Sequence, residues 1–400
     1  MDMDDINSTM EQYIANQEIP GASLIVRKDG EVIYQNKWGF ANIDGQKPIE
    51  YDSVFRIMSM TKCVIAIGIM KLVEHGKLKL DDPLSQYIPS FRNMRVSDDK
   101  RYQYKDGMKM TDILPKLLFF NMSIVKSVPA QREITIRDLL SHSSGLEQGI
   151  VGLLAMMKDK KPRESLAQQA DKYAGYVLDF QPGTAASYSP IAGFDMLTRI
   201  IEIVTGRNAD VYLQNEIFKP LEMTSTFFWP DSEQKKRIVS VYKRKKGVLI
   251  NVTGTKEDID GVIRRRNGYI SGSGGLYSTL LDYERFAWML CNEGDYNGRQ
   301  FLKSETVALI HTQAQSQHIE SEPGFVWGLG VKIRQNPVKG GSFATEGTYG
   351  WSGAFGTHFF VSPKDHLGAV FMVNRSDLNG AGSYISNKVE EMIFGLFSKK

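Results

Sequence analysis

An α+β fold is predicted: an antiparallel sheet built from both ends of the chain, flanked by N- and C-terminal helices, with a mainly helical domain inserted between them. Three observations predict it. Strand-like runs lie near the start (Ala22 to Arg27, Glu31 to Tyr34) and return late (Phe325 to Ile333, Gly356 to Ser362, Leu367 to Asn374). Between them the hydrophobic spacing is helical rather than alternating. The stretch from Cys63 to Met70 is apolar on every face, as a buried central helix requires.

In chain order, Asp4 to Asn16 has a helical mix that Ile19-Pro20-Gly21 ends, and Lys28-Asp29-Gly30 joins the first two strands as a hairpin. Ser59 to His75 reads as the central helix, stopped by Gly76. From about Asp81 to Asn267 come helical segments at Thr135 to Ser141, Glu164 to Leu178 and Ile191 to Thr205, interrupted at Gln181-Pro182-Gly183 and Lys219-Pro220. A closing amphipathic helix is expected from Tyr384 to Phe397. The expected organisation is a discontinuous sheet domain, residues 1–80 and 268–400, and a helical domain, residues 81–267, with the active site at their junction.

Composition narrows the classes. Apolar residues are 42% of 400, enough for a large core, and 49 basic against 46 acidic side chains leave a net charge of +3. That balance excludes a nucleic-acid partner as the leading idea, and the basic runs Lys243 to Lys246 and Arg264 to Arg266 read as solvated loops. Two cysteines, Cys63 and Cys291, exclude a disulfide scaffold and a cysteine zinc site. His75, His142, His311, His318, His358 and His366 show no metal-ligand spacing, so neither a metal nor a cofactor is expected. The acidic N-terminus lacks a leader pattern and no apolar run approaches the roughly 20 residues of a membrane span. A cytoplasmic protein is expected, and nothing in the pattern sets an oligomeric state.

The chemistry centres on Ser59-Met60-Thr61-Lys62. Residues three apart on a helix share a face, which puts an amine beside a hydroxyl. Burial can lower a lysine pKa enough for it to take the serine proton, and free amides at the helix start can receive an oxyanion. Tyr188, in the loop Gln181 to Pro190, is a candidate proton shuttle. Gly350 to Gly356 brings small residues to a strand edge whose amides can complete an oxyanion hole. A Gly-x-Ser-x-Gly nucleophile elbow is absent.

These segments, in this order, resemble the serine β-lactamase and penicillin-binding-protein superfamily with its class C β-lactamase fold, and in particular the family VIII carboxylesterases. The likeness extends to Leu139 to Leu146, to Phe218 to Thr224 and to Gly272 to Thr279. It implies Ser59 as acylated nucleophile, Lys62 as its base and Tyr188 as proton relay. It also implies an oxyanion hole from the amides of Ser59 and Ala354, with Trp351, Ser352 and Gly353 binding substrate. Class C enzymes carry Tyr-x-Asn and Lys-Thr-Gly, whereas this chain has Pro190 and Trp351 at those places. The loss of an ammonium at the late motif points to neutral acyl esters over substrates ending in a carboxylate. The expected partner is a small ester or amide, with weak β-lactam hydrolysis. The alternatives are a D-amino-acid peptidase or amidase, and a non-catalytic ligand-binding module. Asn93 to Arg132, rich in Met, Leu and Phe, is expected to wall the pocket or to pack on the body or a second copy.

Overall fold

In the computed structural model, residues 2–103, 108–266, 268–314, 319–380 and 382–398 are described; His318 lies outside them. Eight antiparallel strands form the main sheet. In spatial order they are Phe325–Trp327, Lys332–Arg334, Tyr349–Ser352, His358–Ser362, Leu367–Val373, Gly21–Lys28, Glu31–Asn42 and Lys47–Pro48. The first strand of the sheet therefore pairs with the last, from Ala22 opposite Val373 to Lys28 opposite Leu367. Sequence ends that seem remote meet at the middle of the sheet.

Alternation along these strands creates two apolar layers. Leu24, Val26, Phe360 and Phe371 point to one face, where they bury Ile6 and Met10 of helix Met3–Ala15 and Val389 and Ile393 of helix Tyr384–Phe397. Ile25, Phe359, Val361 and Val370 point the other way, into the larger core around helix Thr61–Glu74. From Thr61 to Met70 every residue of that helix is buried, which explains its apolar circumference. Each fully buried aliphatic side chain there contributes about 1.5–3 kcal/mol, so a single charged substitution at Ile65 or Ile69 would forfeit much of the fold's margin.

Local differences from the sequence expectation have physical causes. Phe325 to Ile333 is two strands rather than one, because the chain turns at Gly328-Leu329-Gly330, where Gly330 has φ +80°. The second strand of the sheet continues to Asn42, its polar residues half-exposed and its backbone paired on both sides. The helix expected from Glu164 to Leu178 spans Leu166–Ala174, with Gly175 at its end. The middle of the chain also holds two hairpins, Tyr242–Lys245 with Val248–Asn251 and Arg95–Ser97 with Ser127–Pro129. No helix among the described residues is long and apolar enough to cross a membrane.

Candidate active site

Ser59 sits in a one-turn 3-10 helix, Met58–Met60, that feeds helix Thr61–Glu74. Met58 before it has φ +46°, a left-handed conformation that non-glycine residues adopt at a cost and that recurs at functional turns. Lys62, on the first helical turn, is 1% exposed and its Nζ lies 3.3 Å from Ser59 Oγ. That amine donates to two backbone carbonyls, Pro190 and Ser273, each at 2.7 Å. Two of its N–H bonds are thereby committed, and the remaining direction on nitrogen faces Ser59. A neutral Lys62 would point its lone pair at the serine hydroxyl.

Tyr188 completes the cluster, its hydroxyl 2.6 Å from Ser59 Oγ and its ring 4.9 Å from Lys62 Nζ. The loop carrying it is clamped by the segment after Leu139. His142 accepts from Ser187 N through its carbonyl and from Ser189 N through Nδ1, both at 3.0 Å, and Gln148 donates to the Ser187 carbonyl. Glu147 Oε2 receives the amides of Ile191 and Ala192 at 3.0 and 2.7 Å. The Leu139 to Leu146 motif thus serves to hold a tyrosine and the Pro190 carbonyl in place. Because Nδ1 accepts, His142 is neutral at that nitrogen; burial and the Lys62 charge hold its pKa well below the usual value. Its ring packs against Tyr188, Phe194 and Trp327, a positioning contact rather than a base. Glu147 is 3% exposed, and burial pushes its pKa up to about 7.

The second carbonyl on Lys62 belongs to the Gly272 to Thr279 motif. Asp195 fixes that turn by accepting from Ser273 N, Ser271 Oγ and Tyr269 OH at 3.1, 3.0 and 2.6 Å. Gly272 is required because a Cβ there would stand 1.8 Å from Thr198 Oγ1. Asp195, Glu147, Gln148 and Trp327 were not singled out from sequence; only the turn, strand and loop contexts bring them to the site.

Strand Tyr349–Ser352 supplies the opposite wall. Trp351 faces the cluster, 5.1 Å from the Tyr188 ring and 4.7 Å from Trp327. Gly353 follows, where a Cβ would fall 2.3 Å from the Ile57 carbonyl. Only glycine lets the strand end, and with it Ala354, close against the Ser59 turn. Ser352 departs from the expected substrate-binding role. Its side chain points to the other face of the sheet, where Oγ bonds His358 Nδ1 at 2.7 Å, His358 Nε2 bonds Glu390 at 2.7 Å, and Arg334 pairs with the same carboxylate. Consecutive strand residues face opposite sides, so Trp351 and Ser352 cannot both look at Ser59.

A cavity of about 740 Å³ opens beside Tyr188 and Pro190. Ile150, Leu153 and Met156 line one side, and Tyr102 and Ile113, from the 93–132 excursion, line the other. Glu147 and Asp179 also border it, and among the described lining residues there is no lysine or arginine.

A serine, a buried lysine and a tyrosine meeting between a helical layer and an antiparallel sheet define a serine hydrolase of the β-lactamase fold. The chain belongs to the Beta-lactamase family, whose sequence profile it matches over residues 6–387. It is 27% identical over 391 residues to protein Rv1367c of Mycobacterium tuberculosis, spanning 93% of this chain and 90% of that one. Esterase EstB of Burkholderia gladioli is 23% identical over 395 residues, 92% of this chain and 89% of the esterase. The structure of EstCE1, described as a hydrolase with promiscuous acyltransferase activity, superposes with a TM-score of 0.76 at 22% identity. That match covers 98% of this chain and 97% of EstCE1, and shows the shared fold.

Proposed function

We propose that the protein hydrolyses small carboxylic esters through an acyl-enzyme on Ser59, at the junction of the sheet domain and the inserted helical domain. Lys62 takes the Ser59 proton as Oγ attacks the ester carbonyl. The tetrahedral oxyanion is received by the amides of Ser59 and Ala354. Tyr188, in contact with the same oxygen, passes a proton to the departing alkoxide. In deacylation it draws a proton from the attacking water, and Lys62 returns its proton to the Ser59 oxygen as the acid departs.

The observation that carries the ester reading is the cavity beside Tyr188, which is apolar on two sides, bordered by two carboxylates and free of cations among its described lining residues. A substrate ending in a carboxylate, such as an acyl-D-Ala-D-Ala peptide, would meet no counter-charge from the described lining residues. An uncharged ester pays no such penalty, and the name of EstB accords with that chemistry. Weak β-lactam opening follows from the same acylation step.

The test combines labelling with a substrate panel. A fluorophosphonate should add mass to the wild type at Ser59 by peptide mapping, and Ser59→Ala should lose both label and p-nitrophenyl butyrate hydrolysis while remaining folded. Faster turnover of D-amino-acid amides or acyl-D-Ala-D-Ala than of esters would overturn the ester reading in favour of a peptidase or amidase. Labelling without steady-state turnover of any substrate would make the protein a binding module.

A further inference from the structure

The 93–132 excursion has two apolar faces. Inward, Ile113 and Tyr102 wall the cavity and join a small core with Phe120, Val125, Val151 and Leu154. Outward, the short helices Met110–Ile113 and Lys116–Phe119 and the turn after them present Met110, Leu114, Leu118, Phe119 and Ile124, which are 48%, 45%, 78%, 81% and 55% exposed. Single exposed apolar residues are ordinary, but five on one excursion, two of them nearly fully in water, form a patch of the kind that soluble surfaces avoid.

The excursion also carries an excess of basic side chains. Residues 93–132 contain eight Lys and Arg against four Asp, a net charge of +4 in a protein whose total is +3. Lys100, Arg101, Lys109 and Lys126 are exposed on the same excursion. Arg101 is tied to Asp99, and Lys116 Nζ donates to the Arg101 carbonyl, a contact that leaves its charge unneutralised.

We propose that this face docks on the surface of a bilayer carrying anionic lipid headgroups, with Leu118 and Phe119 entering the headgroup boundary and the excursion's lysines and arginines on the phosphates. Exposed apolar side chains with Lys and Arg on the same excursion match the two requirements of interfacial binding, buried apolar area and attraction to negative lipid. A second copy of this chain fits less well. A two-fold dimer through this face would set one +4 excursion against another, a like-charge juxtaposition that costs affinity. Binding to the bilayer does not depend on the chemistry at Ser59. One consequence does rest on the ester reading: the cavity lies directly behind the docked face, so apolar esters dissolved in the bilayer would reach Tyr188 by a short path past Ile113.

The experiment is vesicle flotation of the full-length protein with phosphatidylcholine vesicles and with vesicles containing phosphatidylglycerol, at low and high salt. Binding should need the anionic lipid and weaken with salt. Lys116→Glu and Lys126→Glu should each weaken it about five-fold or more. Leu118→Asp with Phe119→Asp should abolish flotation while leaving hydrolysis of a water-soluble ester unchanged, and Ser59→Ala should float like the wild type. Equal binding to both vesicle types, or flotation of the Leu118→Asp, Phe119→Asp variant, would overturn the proposal. So would a wild-type dimer in sedimentation that this variant converts to a monomer, since the patch would then belong to a second copy.

Discussion

The cluster around Ser59 and the excursion from 93 to 132 are built in opposite ways. Around Ser59, four separate stretches of chain converge, and each atom that touches Lys62 or Tyr188 is itself held: Pro190 beside the Glu147-bound amides, Ser273 by Asp195, and the strand end by Gly353 on Ile57. Between the paired strands at its two ends, the excursion runs through helical turns of three or four residues with much of its apolar surface in water. The difference teaches where each task can reside. Proton transfer tolerates little displacement and is placed where packing over-determines position. A segment that only walls the cavity can change without unravelling the core.

Four substitutions probe that division. Tyr188→Phe should have the largest effect, lowering kcat for p-nitrophenyl butyrate by about 10²–10⁴-fold with KM nearly unchanged; a change confined to KM would make Tyr188 a mere wall and erase the contrast. Gly353→Ala forces a Cβ into Ile57 and Thr357. The strand end must shift, lowering kcat by about 10²-fold through a displaced Ala354 amide and costing about 1–3 kcal/mol in urea unfolding. A loss of stability with full activity would remove Ala354 from the chemistry. Ile113→Trp should act on selection alone, reducing kcat/KM for a decanoate ester about ten-fold relative to butyrate with unfolding unchanged. Equal losses on both esters would place the excursion inside the catalytic cluster.

Glu147→Gln should change the rate least and show instead in the pH dependence of stability. The Glu147 pKa is raised by burial from its ordinary value to about 7. A raised folded-state pKa means its contribution to stability is complete below the unfolded value near 4.5 and is lost as pH rises through 7. The wild-type Tm should therefore fall more between pH 5 and pH 8 than that of Glu147→Gln. Parallel Tm profiles for the two proteins would show that Glu147 does not titrate in that range.

Much of the cluster was legible because side chains carry its chemistry in short local patterns. Ser59 and Lys62 are one helical turn apart, Tyr188 stands in a Pro- and Gly-bounded loop, and the apolar run after Lys62 announces burial. What was hidden is carried by backbone groups or by long-range packing. The Pro190 and Ser273 carbonyls have no side-chain signature, and Trp327 reaches Tyr188 only after a turn at Gly328 to Gly330 that a continuous strand pattern conceals. Ser352 was misplaced for a simpler reason, since the period of two along a strand already allows only one of Trp351 and Ser352 to face the serine. At the level of fold, sheet strands at both ends were readable from alternation, while the pairing of the first with the last was not, because nothing local encodes a partner about 345 residues away.

That pairing has a consequence for biosynthesis. A ribosome delivers Gly21–Lys28 and Ser59 early, but the edge that receives the first strand, Leu367–Val373, emerges only near the end of translation. Until then the young chain carries an open strand edge, an opportunity for aggregation that chaperones must cover. It also carries Ser59 and Lys62 with no Ser273 carbonyl to hold the amine and no Gly353 turn against them. The cluster around Ser59 is thus completed only late in synthesis.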